Sequence, residues 1–311
     1  MIHVACNIDA NYIRHCAVTL VSMFENNRDE RFTIYIVYKG VCPADEEALV
    51  SLVSGYGHEV HFYSPDERLL EGFEIRKFKR RISLATYYRC ILAELLPESV
   101  SRVLYLDCDI VVTGGIAAFW NTPLDGVGVA AVEDVGAHEA ERYDVLQYPA
   151  ELSYFNAGVL LINLDFWREM RMGEACAEYY RKYPERILFN DQDLLNSLLC
   201  RHKVLVGLEW NVQDGFYRRP KAMTPEWKAK YADALLRPTI LHYTNRKPWL
   251  YDCSHPMRGE YFRYLALTPW GKSDDVRHRP VEQIKRMLRF LPFTLGLRKP
   301  KYVDIKHLPR A

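Results

Sequence analysis

The sequence predicts an α/β protein with a mostly parallel sheet covered by helices. Two observations carry that expectation. Apolar, β-branched segments alternate with helical patterns through the first half of the chain. Polar residues also gather where the predicted strands end, and sheets of this kind bind their ligands at the carboxyl ends of strands. In order, residues 2–6 read as a strand and 14–26 as an amphipathic helix. Residues 32–38 (Phe-Thr-Ile-Tyr-Ile-Val-Tyr) form a strong strand by their aromatic and β-branched content. A helix begins at Pro43, with Asp45 and Glu46 in its first turn, and Gly55 and Gly57 end it. Residues 59–63 make the third strand, 86–95 the next helix, and 102–106 a strand that ends at Asp107 and Asp109.

The second half is less regular. Residues 127–132 and 158–163 read as strands, Asp165 caps a helix running through Tyr183, and 192–200 form another helix. A short apolar run at 240–242 leads into Lys247-Pro248-Trp249. There is no internal repeat and no low-complexity linker. The simplest division is one domain over residues 1–270 and a tail over 271–311.

The chain has 311 residues, enough to bury a substantial core, with 49% hydrophobic and 26% charged residues. Its net charge of +1 hides an asymmetry. Residues 272–311 carry 11 Lys/Arg against 4 Asp/Glu, while the remainder carries 30 against 36. A basic tail on a mildly acidic body points to an anionic partner for the tail. Within 281–297, Ile284, Met287, Leu288, Phe290, Leu291, Phe293 and Leu295 interleave with Lys285, Arg286 and Arg289. That pattern suits a segment lying on a membrane surface. The plainer alternatives are a helix packed on the body or an RNA-binding tail; the apolar residues between the charges favour the membrane, and no nucleic-acid motif occurs elsewhere.

Eight cysteines, at 6, 16, 42, 90, 108, 176, 200 and 253, show no C-x-x-C pair and no zinc-finger spacing. They read as reduced, mostly buried thiols of a cytoplasmic protein. The N-terminus starts directly as a strand without a secretory pattern, and no uncharged apolar run reaches the ~20 residues that span a bilayer. The expected location is therefore the cytoplasm, peripherally on the inner face of the cell membrane.

Asp107 and Asp109 are the most informative pair. Two ionised acids inside a buried strand would each cost several kcal/mol, so they belong at its open end. One residue apart on an extended chain, they share a face. The spacing suits either a divalent cation such as Mg2+ or Mn2+, or a carboxylate pair bound to Arg or Lys. Four further segments carry polar residues beyond local need. Asp9 and Asn11 fit a turn, or a nucleotide loop with Tyr12 to stack. Arg89, three residues after Thr86, coats a helix or binds phosphate and sugar hydroxyls. Asn156 and Gly158 precede an apolar strand. Asn190-Asp191-Gln192-Asp193 caps a helix, yet offers more polar groups than capping uses. His242 and Lys247 supply a third ligand type and a phosphate contact, or serve structure alone.

These segments, in this order, resemble the retaining glycosyltransferases of family 8, the lipopolysaccharide galactosyl- and glucosyltransferase and glycogenin group. The match is carried by Ile8-Asp9-Ala-Asn-Tyr12, Ser83-Leu-Ala-Thr86-Tyr-Tyr-Arg89, Val103-Leu-Tyr-Leu-Asp107-Cys108-Asp109, Phe155-Asn156-Ala157-Gly158-Val, Asp191-Gln192-Asp193 and His242…Lys247-Pro-Trp249. The resemblance implies a GT-A fold, Rossmann-like, that binds a UDP-sugar donor with Mn2+ or Mg2+. It implies Asp107, Asp109 and His242 as metal ligands, Asp9 and Tyr12 at the uridine, and Lys247 at the diphosphate. Arg89, Asn156, Asp191 and Gln192 would surround the donor sugar as the catalytic group. Asp134 would stand near the sugar hydroxyls, and Ile8, Cys108, Ala157 and Gly158 join the donor-binding residues.

The chain departs from the family at three points. Ala10 replaces a second acid, Arg81 stands where a His often contacts the diphosphate, and the interval from His242 to Lys247 is one residue short, with Asn245 near the usual glycine. The implied reaction moves galactose or glucose from UDP to a glycan acceptor, lipid-linked given the tail. Retention follows from a covalent nucleophile, for which Asp191 is chemically better suited than Gln192, or from attack on the face that UDP leaves; the second is favoured. Rival readings are a catalytically weak glycan- or sugar-nucleotide-binding protein, and a nucleotidyltransferase. The metal-ligand set argues against the first. The lack of a Gly-rich basic loop after the first strand argues against the second.

Overall fold

The structure, a computed structural model, describes residues 1–70, 73, 84–218, 225–271, 275–305 and 308. In chain order the strands are β1 (Ile2–Asp9), β2 (Phe32–Lys39), β3 (Glu59–Tyr63), β4 (Arg102–Leu106), β5 (Ile110–Val112), β6 (Val129–Glu133), β7 (Phe155–Asn163), β8 (Lys203–Val206), β9 (Val212–Gln213) and β10 (Ile240–His242). The α-helices are α1 (Ile13–Asn26), α2 (Pro43–Gly55), α3 (Leu92–Leu95), α4 (Ala117–Trp120), α5 (Ala140–Leu146), α6 (Leu164–Glu169), α7 (Met172–Lys182), α8 (Asp191–Leu199), α9 (Pro225–Leu236), α10 (Arg258–Leu265) and α11 (Pro280–Thr294). They gather into two compact units. The first comprises Met1–Ile13, Arg28–Cys108 and Ile116–Gly207, the second Arg14–Asn27, Asp109–Gly115 and Leu208–Ala311.

The first unit is built on a seven-stranded sheet in the order β3-β2-β1-β4-β7-β6-β8. The pairs β1–β2, β2–β3, β1–β4 and β6–β8 are parallel, as expected of alternating strands and helices. β7 alone runs antiparallel to its neighbours β4 and β6. It is buried from Phe155 to Ile162, so both faces are covered and its sequence carries no sign of direction. β1 extends three residues beyond the predicted end, to Asp9, and its polar Asn7 and Asp9 stay partly exposed while Ile8 is buried. The core here includes Tyr87, Tyr105, Phe155, Trp167, Leu194 and Leu195.

Two helix predictions need correction. The expected helix over 86–95 is a 3-10 helix at Leu84–Ile91 followed by the short α3. The expected single helix from Asp165 to Tyr183 is two helices, α6 and α7, broken where Arg171 takes a left-handed φ of 49°. Asn163 caps α6 in place of Asp165, its Oδ1 accepting from the Phe166 amide at 3.1 Å. Asp165 instead accepts from Arg168 at 2.9 Å.

The second unit contains a three-stranded sheet, β5-β10-β9. Helix α1 is fastened to it by hydroxyls: Thr19 donates to the Ile110 carbonyl at 2.9 Å, and Ser22 accepts from the Val112 amide at 2.9 Å. Buried Tyr217, Tyr243, Tyr261 and Tyr264 fill this unit's interior. Helix α11 lies over the predicted tail segment and buries none of its residues. Among the described residues no helix is long and apolar enough to cross a membrane.

Candidate functional site

In the first unit, Asp107 and Asp191 meet on one arginine, Arg89. A 3-10 helix repeats every three residues, so side chains at i and i+3 line up. Thr86 and Arg89 are so placed, and they hold the two oxygens of one carboxylate. Thr86 donates its hydroxyl to Asp191 Oδ1, and Arg89 Nε lies 2.9 Å from Asp191 Oδ2. Arg89 Nη2 donates to Asp107 Oδ1 at 2.8 Å, its Nη1 donates to the Ala157 carbonyl, and its guanidinium stacks 4.5 Å from the Tyr105 ring centre. Burial works against the Arg89 charge, but Asp107 and Asp191 outweigh it and keep the guanidinium firmly protonated. Burial pushes the Asp191 carboxyl up to about 6, against the pull of Arg89 and Thr86.

Asp191 and Gln192 open α8 directly after a strained turn. Asn190 sits at φ 51° and ψ −125°, a combination costly for any residue with a Cβ. Asp193 holds that turn. Its Oδ2 accepts from the amides of Leu188 and Phe189 at 2.7 and 2.6 Å, and its Oδ1 from the Tyr154 hydroxyl at 2.6 Å. The Gln192 amide is then fixed in one orientation. Its Oε1 accepts from the Ala157 amide at 2.9 Å, and its Nε2 donates to Asp134 Oδ2 at 3.2 Å. Asn156 Nδ2 donates to the same Asp134 oxygen at 3.0 Å, and Asn156 Oδ1 accepts from the Gly158 amide at 3.0 Å. Asn156, Asp134 and Gln192 thus form one hydrogen-bonded group.

The predicted nucleotide loop is a turn closing β1. Asp9 Oδ1 accepts from the Asn11 amide at 2.9 Å, and the Tyr12 amide donates to the Asp9 carbonyl at 3.0 Å. Ile8 is buried in the strand, and the Cys108 thiol approaches the Asn7 carbonyl at 3.7 Å. The Asp107 amide donates to the Gly158 carbonyl at 2.8 Å, joining the two motifs across β4 and β7. Arg81 lies outside the described residues.

The second unit brings together Asp109, His242 and Lys247. Lys247 Nζ donates to Asp109 Oδ2, and also to the Tyr243 carbonyl at 2.8 Å. His242 Nε2 lies 3.2 Å from Asp109 Oδ1, while its Nδ1 is 2.9 Å from Asn211 Oδ1. The Asn211 oxygen orients the ring through Nδ1 and leaves Nε2 facing the Asp109 carboxylate. Carboxylate plus imidazole, with the ring oriented by a further partner, is donor chemistry that fits Mn2+ or Mg2+. Burial favours protonating Asp109, yet Lys247 and His242 outweigh it and hold its carboxyl well below the usual range. Only Cys108 separates Asp109 from Asp107, so the chain itself keeps their Cα atoms within about 7 Å.

The loop bearing Lys247 is braced by a stack. The His15 ring lies flat on Trp249, 3.5 Å between centres and 9° between planes, and burial lowers its pKa to about 3, so it stays neutral there. Three contributors went unread in the sequence. Tyr105, whose hydroxyl donates to Asp107 at 2.8 Å, was discoverable, because it sits two residues before Asp107 on the same strand face. Asn211 and Tyr243 carried no local signal: one precedes a two-residue strand and the other follows His242 as a core aromatic.

Residues 3–253 match the family described as Glycosyl transferase family 8. General stress protein A of Bacillus subtilis is 30% identical over 87% of this chain and 95% of its own length. The lipopolysaccharide 1,2-glucosyltransferase of Escherichia coli K12 is 26% identical over 93% of this chain and 85% of that protein. Among solved structures, the galactosyltransferase LgtC in complex with donor and acceptor sugar analogs superposes with a TM-score of 0.77, at 24% identity, covering 86% of this chain and 96% of LgtC.

Proposed function

This chain belongs to glycosyltransferase family 8 and has the GT-A fold, and from that premise we propose a metal-dependent retaining hexosyltransferase that uses UDP-galactose or UDP-glucose. The observation that carries the reading is the Asp109–His242–Lys247 group: a carboxylate and an oriented imidazole suited to a divalent ion, beside an ammonium suited to phosphate. Asp107, Asp109 and His242 would hold Mn2+ or Mg2+. A cation bound there neutralises charge on the departing diphosphate. Lys247 shares that task, exchanging Asp109 for a phosphate oxygen. Asp9, Tyr12 and Ile8 take the uridine, with Arg81, Cys108, Ala157 and Gly158 also on the donor. Asp134 and Asn156 take sugar hydroxyls.

The hydrogen bonding bears on mechanism. Both Asp191 oxygens are engaged, by Thr86 and Arg89, which makes Asp191 a poor nucleophile. Gln192 is held with Oε1 as an acceptor, able to stabilise positive charge at the anomeric carbon. The reaction is then same-face displacement. The bond from the anomeric carbon to UDP breaks, the bond to the acceptor oxygen forms on that face, and the acceptor's proton passes to the leaving phosphate oxygen. Residues 1–270 are the catalytic part and 271–311 a tail that seats the enzyme on the inner face of the cell membrane, near a glycolipid acceptor. Support for a lipid-linked glycan comes from the relatives, one of which is a lipopolysaccharide glucosyltransferase.

The test is UDP release by the purified protein with Mn2+ and UDP-galactose, UDP-glucose or their N-acetyl forms. One donor should be hydrolysed slowly, and EDTA or Asp109→Ala should abolish its turnover. Turnover that persists in EDTA would refute the metal-dependent reading.

A further inference from the structure

The C-terminal helix α11 is mounted with its faces reversed. A surface helix ordinarily packs its apolar stripe on the protein and turns its charges to water. On α11 the less exposed positions are Glu282, Arg286, Phe290, Pro292 and Phe293, and all of them except Pro292 fall along one side. Arg286 fastens that side, donating Nη1 to the carbonyls of Tyr251 at 2.7 Å and Cys253 at 2.5 Å while stacking on Phe290. At 100° per residue, the opposite side collects Val281, Ile284, Met287, Leu288, Leu291 and Leu295. Each is between 44% and 63% exposed, and no comparable row of large apolar residues is exposed elsewhere among the described residues. Lys285 and Arg289 flank the stripe, and Arg298, Lys299 and Lys301 follow it.

We infer that this outward stripe of α11 is a docking face for an anionic lipid surface, with Arg286 holding the helix against the 251–253 segment so that the apolar row points away from the protein. The inference rests on the membrane seat proposed above and specifies the face that makes it. Charge selects the occupant. A second copy of this chain would bring the same basic flanks together, whereas anionic headgroups complement them. Size agrees: a 15-residue helix is about 22 Å long, and one face of it offers a few hundred Å2 at most, against about 800 Å2 per partner in a stable protein interface. A lipid surface needs no such minimum, because shallow insertion of apolar side chains and attraction of cations act together.

The experiment is co-sedimentation of the full chain with vesicles of equal phosphatidylglycerol and phosphatidylcholine, and with pure phosphatidylcholine vesicles. We expect binding to the mixed vesicles that is at least tenfold tighter than to the neutral ones and weakens with salt. Leu288→Gln with Leu291→Gln, and separately Lys285→Glu with Arg289→Glu, should each lower it tenfold or more. These positions are exposed, so unchanged thermal unfolding and unchanged UDP release in the absence of lipid verify that the fold and the reaction survive. Failure of the donor assay with vesicle binding intact would strike the proposed function and leave the docking face standing. Vesicle binding equal for both variants and wild type would overturn the docking face. So would a concentration-dependent dimer, seen by light scattering, that Leu288→Gln with Leu291→Gln abolishes.

Discussion

Asp191 is where a single residue's environment is most open to measurement. Burial lifts its carboxyl to about 6 from the ordinary 3.8, even with Arg89 and Thr86 drawing it down. Between those values the folded protein binds a proton that the unfolded chain has released. Stability therefore falls as pH rises through that window and levels off above pH 6. Asn at this position cannot titrate. Relative to wild type, Asp191→Asn should gain stability between pH 4 and pH 7, by up to about 3 kcal/mol, as read by urea unfolding at the two pH values. A constant difference would mean that Asp191 titrates normally. In turnover, wild type should lose kcat/KM below about pH 6, where protonation loosens the hold of Asp191 on Arg89. Residue identities of this kind were largely legible: Asp107, Asp109, Arg89, Asn156, Gln192 and His242 were all singled out from the sequence. Their partners were less so, since Asn211 meets His242 across 31 positions and no short motif links them.

At the scale of elements, the turn before α8 carries strain that fixes Gln192. Asn190 has φ 51° and ψ −125°, a region costing about 1–3 kcal/mol for a residue with a Cβ and little for glycine. Asn190→Gly should leave stability within about 1 kcal/mol of wild type or above it, since the side chain's bond from Tyr87 is long at 3.2 Å. It should nonetheless lower kcat about tenfold or more by freeing Asp191 and Gln192, with KM little changed. Asn190→Ala, which keeps the Cβ, should be less stable than Asn190→Gly by about 1–3 kcal/mol. Unfolding and steady-state kinetics on the pair check this, and a glycine variant with full kcat would show that the turn does not set the site. Such a turn has no sequence signature beyond an Asn, just as the left-handed Arg171 that splits α6 from α7 has none. Periodicity marks where apolar residues recur, and it recurs through both the 3-10 helix at Leu84–Ile91 and the break at Arg171.

For the whole molecule, the α/β class and the rank of strands β1 to β4 were readable because each strand is short, branched and bounded by turn residues. The reversed β7 was not, because a strand covered on both faces reads the same in either direction. Nor was the three-stranded sheet of the second unit, whose strands have two or three residues each. The tail's composition raised the expectation of an anionic partner, but only the structure distinguishes an apolar face packed inward from one turned outward. Asp109, far in sequence from His242 and Lys247, meets both of them, and we propose that the three serve a divalent ion and a nucleoside diphosphate. Calorimetric titration of UDP into the protein, with Mn2+ and again with EDTA, tests it most directly. Affinity should be at least tenfold higher with Mn2+, a difference of about 1.4 kcal/mol or more. Equal affinity in the two titrations, or no binding in either, would contradict it.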